Sequence, residues 1–401
     1  MGLLSFLGGP LFLKPTVPVG VLFSRSGPYS DLGEQGYLGA IAGIRAINRR
    51  EDLPFKLKAV FADPQGNTDR YATLASELIT TAGVQHIIGC TTSWSRKEVI
   101  PAIEKTRALL WYPCVYEGFE ASENVVYVGA CANQHILPML EFALPAFGRN
   151  GFLVGSNYIW GWETCRIARD ILARSGGRVA GERHIPLGDI DVGHIIEEIR
   201  RKKPDFILNS LIGPSSYAFL QAYRALGEID PDFATGRRPV LSCNLSENEI
   251  AQIAPAAEGH FTVSTYFEAL SCPSNAAFLD SLGDDARAAG VSAFFAQAYA
   301  SVLLVAAGLE ATGIGQAMDV LAAVKQRAVA TPLGPLHIDA SNNHIHALAH
   351  IARATASGGY EIIRQSTGLI APDPFLTRAG LVIPELPAVS SSSRAMLRIV
   401  K

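Results

Sequence analysis

The sequence predicts an α/β protein of two doubly wound, Rossmann-like lobes. Short apolar runs alternate with helical-period runs from Val17 onward, and the alternation restarts at Gly151. The last third then gives way to a helical block followed by short strands separated by Asn342-Asn343 and Ser357-Gly358-Gly359. Alternation of this kind marks a parallel sheet covered by helices on both faces. The length of 401 residues suits two such units.

The first series begins with a buried strand over 17–23, a Gly/Ser/Pro loop over 24–30, and a helix placing Tyr37, Ile41, Ile44 and Ile47 on one stripe. A strand over 56–62 ends at Asp63-Pro64-Gln65-Gly66, and Tyr71, Leu74, Leu78 and Ile79 mark a helix stopped by Gly83. Strands over 84–88, 109–111 and 125–128 complete the series. The second series opens with Phe152-Leu153-Val154-Gly155 and continues through strands over 178–185, 206–211, 239–242 and 261–265, with helices between them. Helical composition dominates 275–329, and 336–339, 345–351 and 360–364 read as strands in antiparallel hairpins. Hairpins at that place imply that the chain crosses between the halves. The carboxyl ends of both sheets, where such folds bind ligands, then line one cleft.

Composition narrows the function. Lys+Arg 34 against Asp+Glu 37 leaves a net charge of −3, too balanced to neutralise a phosphate backbone, so no direct nucleic-acid partner is expected. Six cysteines lie singly at 90, 114, 131, 165, 243 and 272 with no C-x-x-C pair, which fits free buried thiols in a reducing compartment. Residues 1–14 are apolar but interrupted by Gly8, Gly9 and Pro10, carry no basic n-region and lack an A-x-A-like cleavage site. No later run reaches the ~20 uninterrupted apolar residues of a membrane span. The expectation is a soluble, cytoplasmic protein, with an exported, periplasmic one as the alternative.

Catalysis has no evident home. No G-x-x-x-x-G-K-[ST] loop, G-x-S-x-G elbow or H-E-x-x-H helix is present, and the loop after Phe23 reads Ser24-Arg25-Ser26-Gly27-Pro28 where a dinucleotide enzyme needs G-x-G-x-x-G. His344, His346 and His350 form the sole histidine cluster. They lack Cys or carboxylate ligands at suitable spacing apart from Asp339, so neither a metal nor a cofactor is expected. Asp63 reads as a turn or helix cap.

Three loops stand out. Thr91, Thr92, Ser93 and Ser95 concentrate hydroxyls at a strand end and a helix start; Ser93 or Ser95 caps that helix, or the free N–H groups and a hydroxyl form a donor nest for a ligand oxygen. The segment 111–120 packs Trp111, Tyr112, Tyr116 and Phe119 around Cys114 and Val115, as a core plug or as pocket walls. In the second lobe Tyr158, Trp160 and Trp162 occupy the corresponding place. Two aromatic loops, one per lobe, predict a small apolar-walled site between the lobes. Hydroxyls, backbone groups and rings, with Glu117 the nearest acid, suit a compact neutral polar molecule better than an amino acid.

Several strings carry a resemblance: Gly89-Cys90-x-x-Ser93-x-Ser95-Arg96-Lys97, Leu110-Trp111-Tyr112-Pro113-x-x-Tyr116-Glu117-Gly118, Asn133-Gln134, Val154-Gly155-Ser156-x-Tyr158, Ser246-Glu247-x-Glu249, Gly334-Pro335, Asn342-Asn343-His344 and Ala371-Pro372-Asp373-Pro374. Over 17–375 the chain resembles the amide and urea receptors of the type I periplasmic-binding-protein superfamily. It is nearest to the amide-sensing negative regulators of aliphatic amidase operons, beside the urea-binding subunits of ABC importers. The resemblance implies a venus-flytrap fold with three crossovers, one lobe of 17–132 plus 262–341 and another of 133–261 plus 342–401. Carried over by position, Ser93 with Thr91 and Thr92 would bind the ligand's polar end. Tyr112 and Tyr158 would wall the pocket, Trp160 would replace another aromatic, and Cys114, Val115 and Asn244 would line it. Thr91 stands in place of a large aromatic, Cys114 in place of a hydroxyl residue, and Asn244-Leu245 in place of a hydroxyl pair.

The function so implied is a receptor for short aliphatic amides or urea-like molecules, regulating amidase expression through an RNA-binding antiterminator. The alternative is the substrate-binding subunit of a urea or amide importer with an ABC permease as partner. Homo-oligomerisation stays open. An amide-hydrolysing enzyme would need a His beside Cys114 or Ser93, and none is near in sequence.

Overall fold

A computed structural model of the chain describes residues 14–378 except 289. The first sheet holds five strands in the order β2-β1-β3-β4-β5. These are β1 (Thr16–Leu22), β2 (Lys56–Ala62), β3 (His86–Gly89), β4 (Leu109–Tyr112) and β5 (Val125–Tyr127), all parallel. Helices α1 (Ser30–Arg49), α2 (Arg70–Thr80) and α3 (Ser93–Thr106) make its connections. Because β3 and β4 are wholly buried, they read as continuous apolar runs rather than alternating ones.

The chain then crosses into the second lobe through α4 (Ala132–Phe147). Strand β6 (Asn150–Ser156), helix α5 (Ile159–Arg174), β7 (Arg178–Ile185), α6 (Gly193–Lys202), β8 (Phe206–Ser210), α7 (Pro214–Ile229), β9 (Val240–Ser242), α8 (Glu247–Ile253) and β10 (Phe261–Ser264) follow. It returns through α9 (Pro273–Ser281), α10 (Asp284–Ala288), α11 (Ala293–Thr312) and α12 (Ala317–Val324) to a hairpin of β11 (Val329–Thr331) and β12 (Gly334–Leu336). It ends the second sheet with antiparallel β13 (His350–Ala354) and β14 (Tyr360–Arg364). That sheet has seven strands, β14-β13-β10-β9-β8-β6-β7.

Helix α11 is long and apolar enough to cross a membrane by length and composition, yet 83% of its apolar window is buried. It is the core helix of the first lobe. A Cβ on Gly39 of α1 would lie 2.2 Å from the Phe295 carbonyl oxygen, so only glycine lets these two helices approach so closely.

The returning segments differ from expectation for a shared reason. All of β10 belongs to the second sheet, and His344 still bridges Tyr127 at the edge of the first. The sheets therefore exchange the chain a few residues beyond 261/262 and 341/342. The strands expected over 336–339 and 345–351 reduce to single bridges, Ile338 to Ile345 and Ala347 to Ile370, before β13 begins at His350. A segment leaving one sheet for another pairs briefly with each. Asn133 and Gln134 at the start of α4 fasten this region: Gln134 Nε2 donates to the carbonyls of Ile345 and Ile370, and Asn133 Nδ2 to that of Ala371. Two of the strings quoted for the resemblance thus meet at the hinge.

His344 stacks on the Tyr127 ring at 4.0 Å and hydrogen-bonds the Tyr116 hydroxyl. Burial holds its imidazole down to about 4, so it is a neutral core residue. Asp63 Oδ1 accepts from Gln65 N at 2.8 Å in a turn. All six cysteines are free; five are buried and Cys272 is half-buried.

Candidate functional site

The residues expected to bind ligand gather where the lobes meet, and the lobes are shut. Gly213, between β8 and α7, packs its backbone on Pro28, between β1 and α1. Trp94 of α3 lies with its ring 5.0 Å from that of Tyr158 in the loop after β6. The Tyr217 hydroxyl donates to Asp31 Oδ2 at 2.8 Å, and Asn248 Nδ2 donates to the Asp31 carbonyl at 3.3 Å.

On the first-lobe side, Thr92, rather than Ser93 or Ser95, is the helix N-cap. Its side chain accepts from Ser95 N, while Ser95 Oγ takes the Thr91 and Thr92 amides. Thr92 is thereby committed to the helix end. Ser93 Oγ donates to Glu117 Oε2, so its hydroxyl also has a protein partner. Thr91 is buried; its carbonyl accepts the Tyr112 hydroxyl at 2.9 Å, and its own Oγ1 is buried without a partner. The Cys114 thiol donates to the Cys90 carbonyl at 3.4 Å, and burial pushes it well above the usual thiol range.

Behind this wall sits a charge cluster that sequence reasoning quoted but gave no role. Arg96, fully buried, pairs with Glu117 at 3.3 Å and Glu120 at 2.6 Å, its guanidinium 4.7 and 4.6 Å from the Tyr112 and Tyr116 ring centres. Lys97 also holds Glu120, at 2.7 Å. Two cations and two carboxylates leave the cluster neutral, as a buried charge group must be. Burial works to raise the Glu120 carboxyl, but the Arg96 charge and hydrogen bond and then Lys97 outweigh it and hold it down to about 2.

The second lobe contributes Tyr158, 1% exposed, and Trp160, 3% exposed. Burial raises both the Tyr112 and Tyr158 phenols, and Tyr158 raises Tyr112 further. Tyr112 and Tyr158 belong to one cluster of buried side chains that also holds Cys114 and Trp160. Trp160 lies against His135, ring centres 5.6 Å apart, and its indole N–H is buried without a partner. Val115 and Asn244 adjoin this group through His135, which also contacts Trp160. They line a small cavity of about 20 Å³ at the hinge, with Gln134, His135, Thr265 and Gln297. That volume holds about one water molecule. Asn244 Nδ2 donates to the Leu211 carbonyl at 3.1 Å. Trp94, His135, the Arg96 cluster and the Asp31–Tyr217 contact were missed; the first three lie in or beside the quoted strings.

Glu249 closes the cross-lobe contact. Its Oε1 is 3.1 Å from the Tyr217 hydroxyl and its Oε2 accepts from Ser246 N and Oγ. One phenolic proton cannot serve two carboxylates, and a neutral Glu249 donating to Tyr217 resolves the conflict. Burial pushes Glu249 from its ordinary 4.5 up to about 7. Between those values the folded chain keeps a proton that the unfolded chain gives up, so stability falls as pH rises across the window. Glu249→Gln should remove about 1–3 kcal/mol of that fall, read as urea midpoints at pH 5 and pH 8. Equal slopes in the two proteins would contradict it.

The periplasmic binding protein domain family matches residues 17–380. A Leu/Ile/Val-binding protein homolog 6 of Brucella abortus (strain 2308) is 24% identical over 340 residues, 82% of this chain and 85% of the relative. Among solved structures, an R. palustris solute-binding protein in complex with 4-hydroxybenzoate aligns with a TM-score of 0.76 and 24% identity, covering 87% of this chain and 96% of that one. LivJ of Streptococcus pneumoniae str. Canada MDR_19A, in complex with isoleucine, gives a TM-score of 0.74 at 18% identity over 89% of this chain and 100% of that one. These relatives carry solute- and amino-acid-binding names; none of the three is described as a regulator or an amide receptor. The fold is the type I periplasmic binding protein fold, in which two lobes close on a ligand. The chain therefore belongs to the periplasmic binding protein domain family and is a ligand-binding protein, not an enzyme.

Proposed function

We propose that this chain is the substrate-binding subunit of an ABC importer that closes on a small uncharged solute of the short-amide or urea class. The observation that carries the ligand class is the neutrality of the cleft wall. Arg96 is matched by Glu117 and Glu120, while the Thr91 hydroxyl and the Trp160 indole N–H are buried and unpartnered. A ligand carbonyl and N–H would satisfy such groups, whereas a carboxylate would lie beside Glu117 at an electrostatic cost. The family match supports the importer role and a periplasmic address over the cytoplasmic one. Residues 1–13, on which the export question turns, lie outside the described residues.

A second reading, a cytoplasmic amide sensor acting on an RNA-binding antiterminator, is favoured by the thiols. Six cysteines are free, and the Cys114 thiol rests on the Cys90 carbonyl without the disulfide that an oxidising compartment promotes. Cell fractionation of the native organism separates the two: full-length chain in the cytoplasm supports the sensor, processed chain in the periplasm the importer.

Isothermal titration tests the ligand class. Acetamide, butyramide, formamide or urea at millimolar concentration should give heat; benzoate, 4-hydroxybenzoate and isoleucine should not. The reverse pattern would overturn the reading. Trp160→Phe, which keeps the ring and loses the N–H, should weaken binding about tenfold, the worth of one buried hydrogen bond. Unchanged affinity would remove Trp160 from the ligand's contacts.

A further inference from the structure

We infer that Cys165, Glu182 and His184 form a binding site for a divalent ion of the Zn²⁺ class, joining helix α5 to strand β7 outside the ligand cleft. One ligand atom from each residue lies within 4.8 Å of the other two. The backbone accounts for the grouping. Glu182 and His184 are two apart on β7 and share a face, and Cys165 is buried on α5, which packs across β6, β7 and β8.

The donor set is that of a zinc site with three protein ligands and an open fourth position: a thiolate, an imidazole and a carboxylate. Tetrahedral coordination brings ligand atoms to about 3.5 Å from one another, which side-chain movements of about 1 Å achieve. The carboxylate is already divided as such a site requires. Glu182 Oε2 accepts from Arg169 at 2.5 Å, while Oε1 is turned toward His184 Nε2 at 3.9 Å. Arg169 thus orients the ligand without occupying the oxygen that would coordinate.

A second observation points to a missing occupant. His184 Nε2 is buried with no hydrogen-bond partner, and the Cys165 thiol has the Ser210 hydroxyl beside it. A buried imidazole nitrogen left without a partner beside a thiol and a carboxylate is a group that an ion or a water satisfies. Zinc coordinated here takes a lone pair from His184 Nε2, one from Glu182 Oε1 and one from the Cys165 sulfur, whose proton passes to solvent. The bound ion would pin α5, whose first turn carries Trp160, to the edge strand of the sheet.

The test uses the full-length chain and the metal alone. Zn²⁺ competed against a chromophoric chelator should bind as one equivalent at micromolar concentration, and Co²⁺ in its place should give a thiolate-to-cobalt charge-transfer band in the near ultraviolet. Cys165→Ser should abolish the band. His184→Gln, on a half-buried edge-strand position that tolerates the change, should weaken binding at least tenfold while leaving the circular dichroism spectrum unchanged. Absence of Zn²⁺ binding at about 100 µM, a band that survives Cys165→Ser, or wild-type affinity in His184→Gln would each overturn the site.

Discussion

Gly213→Ala is expected to hold the two lobes apart. Gly213 has φ +57° and ψ −133°, a region that side-chain-bearing residues enter at a cost of about 1–3 kcal/mol. Its added Cβ would also fall 2.0 Å from the Pro28 carbonyl oxygen. Pro28 and Gly213 belong to different lobes, so that collision exists only when the clamshell is shut. Each lobe should therefore fold while closure fails. Ligand affinity should drop by about 100-fold or more, since closure supplies the second wall of the site. Small-angle scattering should show a protein that no longer contracts on adding ligand. A variant that binds and contracts like the parent would mean that Pro28 and Gly213 move apart without consequence.

Arg96→Met should be the most damaging single change to stability. It leaves Glu117 and Glu120 buried beside each other with one cation, Lys97, at the edge. Removing one partner of a buried ion group costs about 3–5 kcal/mol, because the remaining charges keep their burial and lose their compensation. In a chain of this size that corresponds to a fall of roughly 4–6 °C in Tm. Acid should imitate part of the loss in the parent protein. Glu120 is held down from 4.5 to about 2, so its contribution is complete above about 4.5 and disappears as pH falls toward 2. A parent whose urea midpoint holds constant from pH 5 to pH 2.5, or an Arg96→Met variant as stable as the parent, would refute the account.

The alternation of apolar and helical-period runs was enough to read both lobes, because strands buried on two faces leave an unmistakable apolar run, as at Leu109–Tyr112. The crossing segments were not legible in the same way. Residues 344–349 owe their conformation to Tyr127, Ile338 and Ile370, distant groups that leave no periodic trace. At the site, the hydroxyl-rich loop pointed to a helix start, but choosing among Thr92, Ser93 and Ser95 as the cap depended on backbone angles. Ser93 turned out to be engaged by Glu117, 24 positions away. The Asp31–Tyr217 contact spans 186 positions, and no local pattern announces a partner that far along the chain. Arg96 was visible as a charged residue in one of the strings that carry the resemblance; that two carboxylates neutralise it required the fold.

The Asp31–Tyr217–Glu249 chain touches both lobes and need not touch the solute. Any free energy it contributes favours the shut state for every guest alike, so strengthening or weakening it scales all dissociation constants by one common factor. On the proposed reading of the cleft, preference between guests then resides in Thr91, Tyr112, Tyr158 and Trp160. Overall grip and discrimination are thus adjustable at separate places, and a receptor of this design can be tuned to a poorer or richer surrounding without relearning what it recognises.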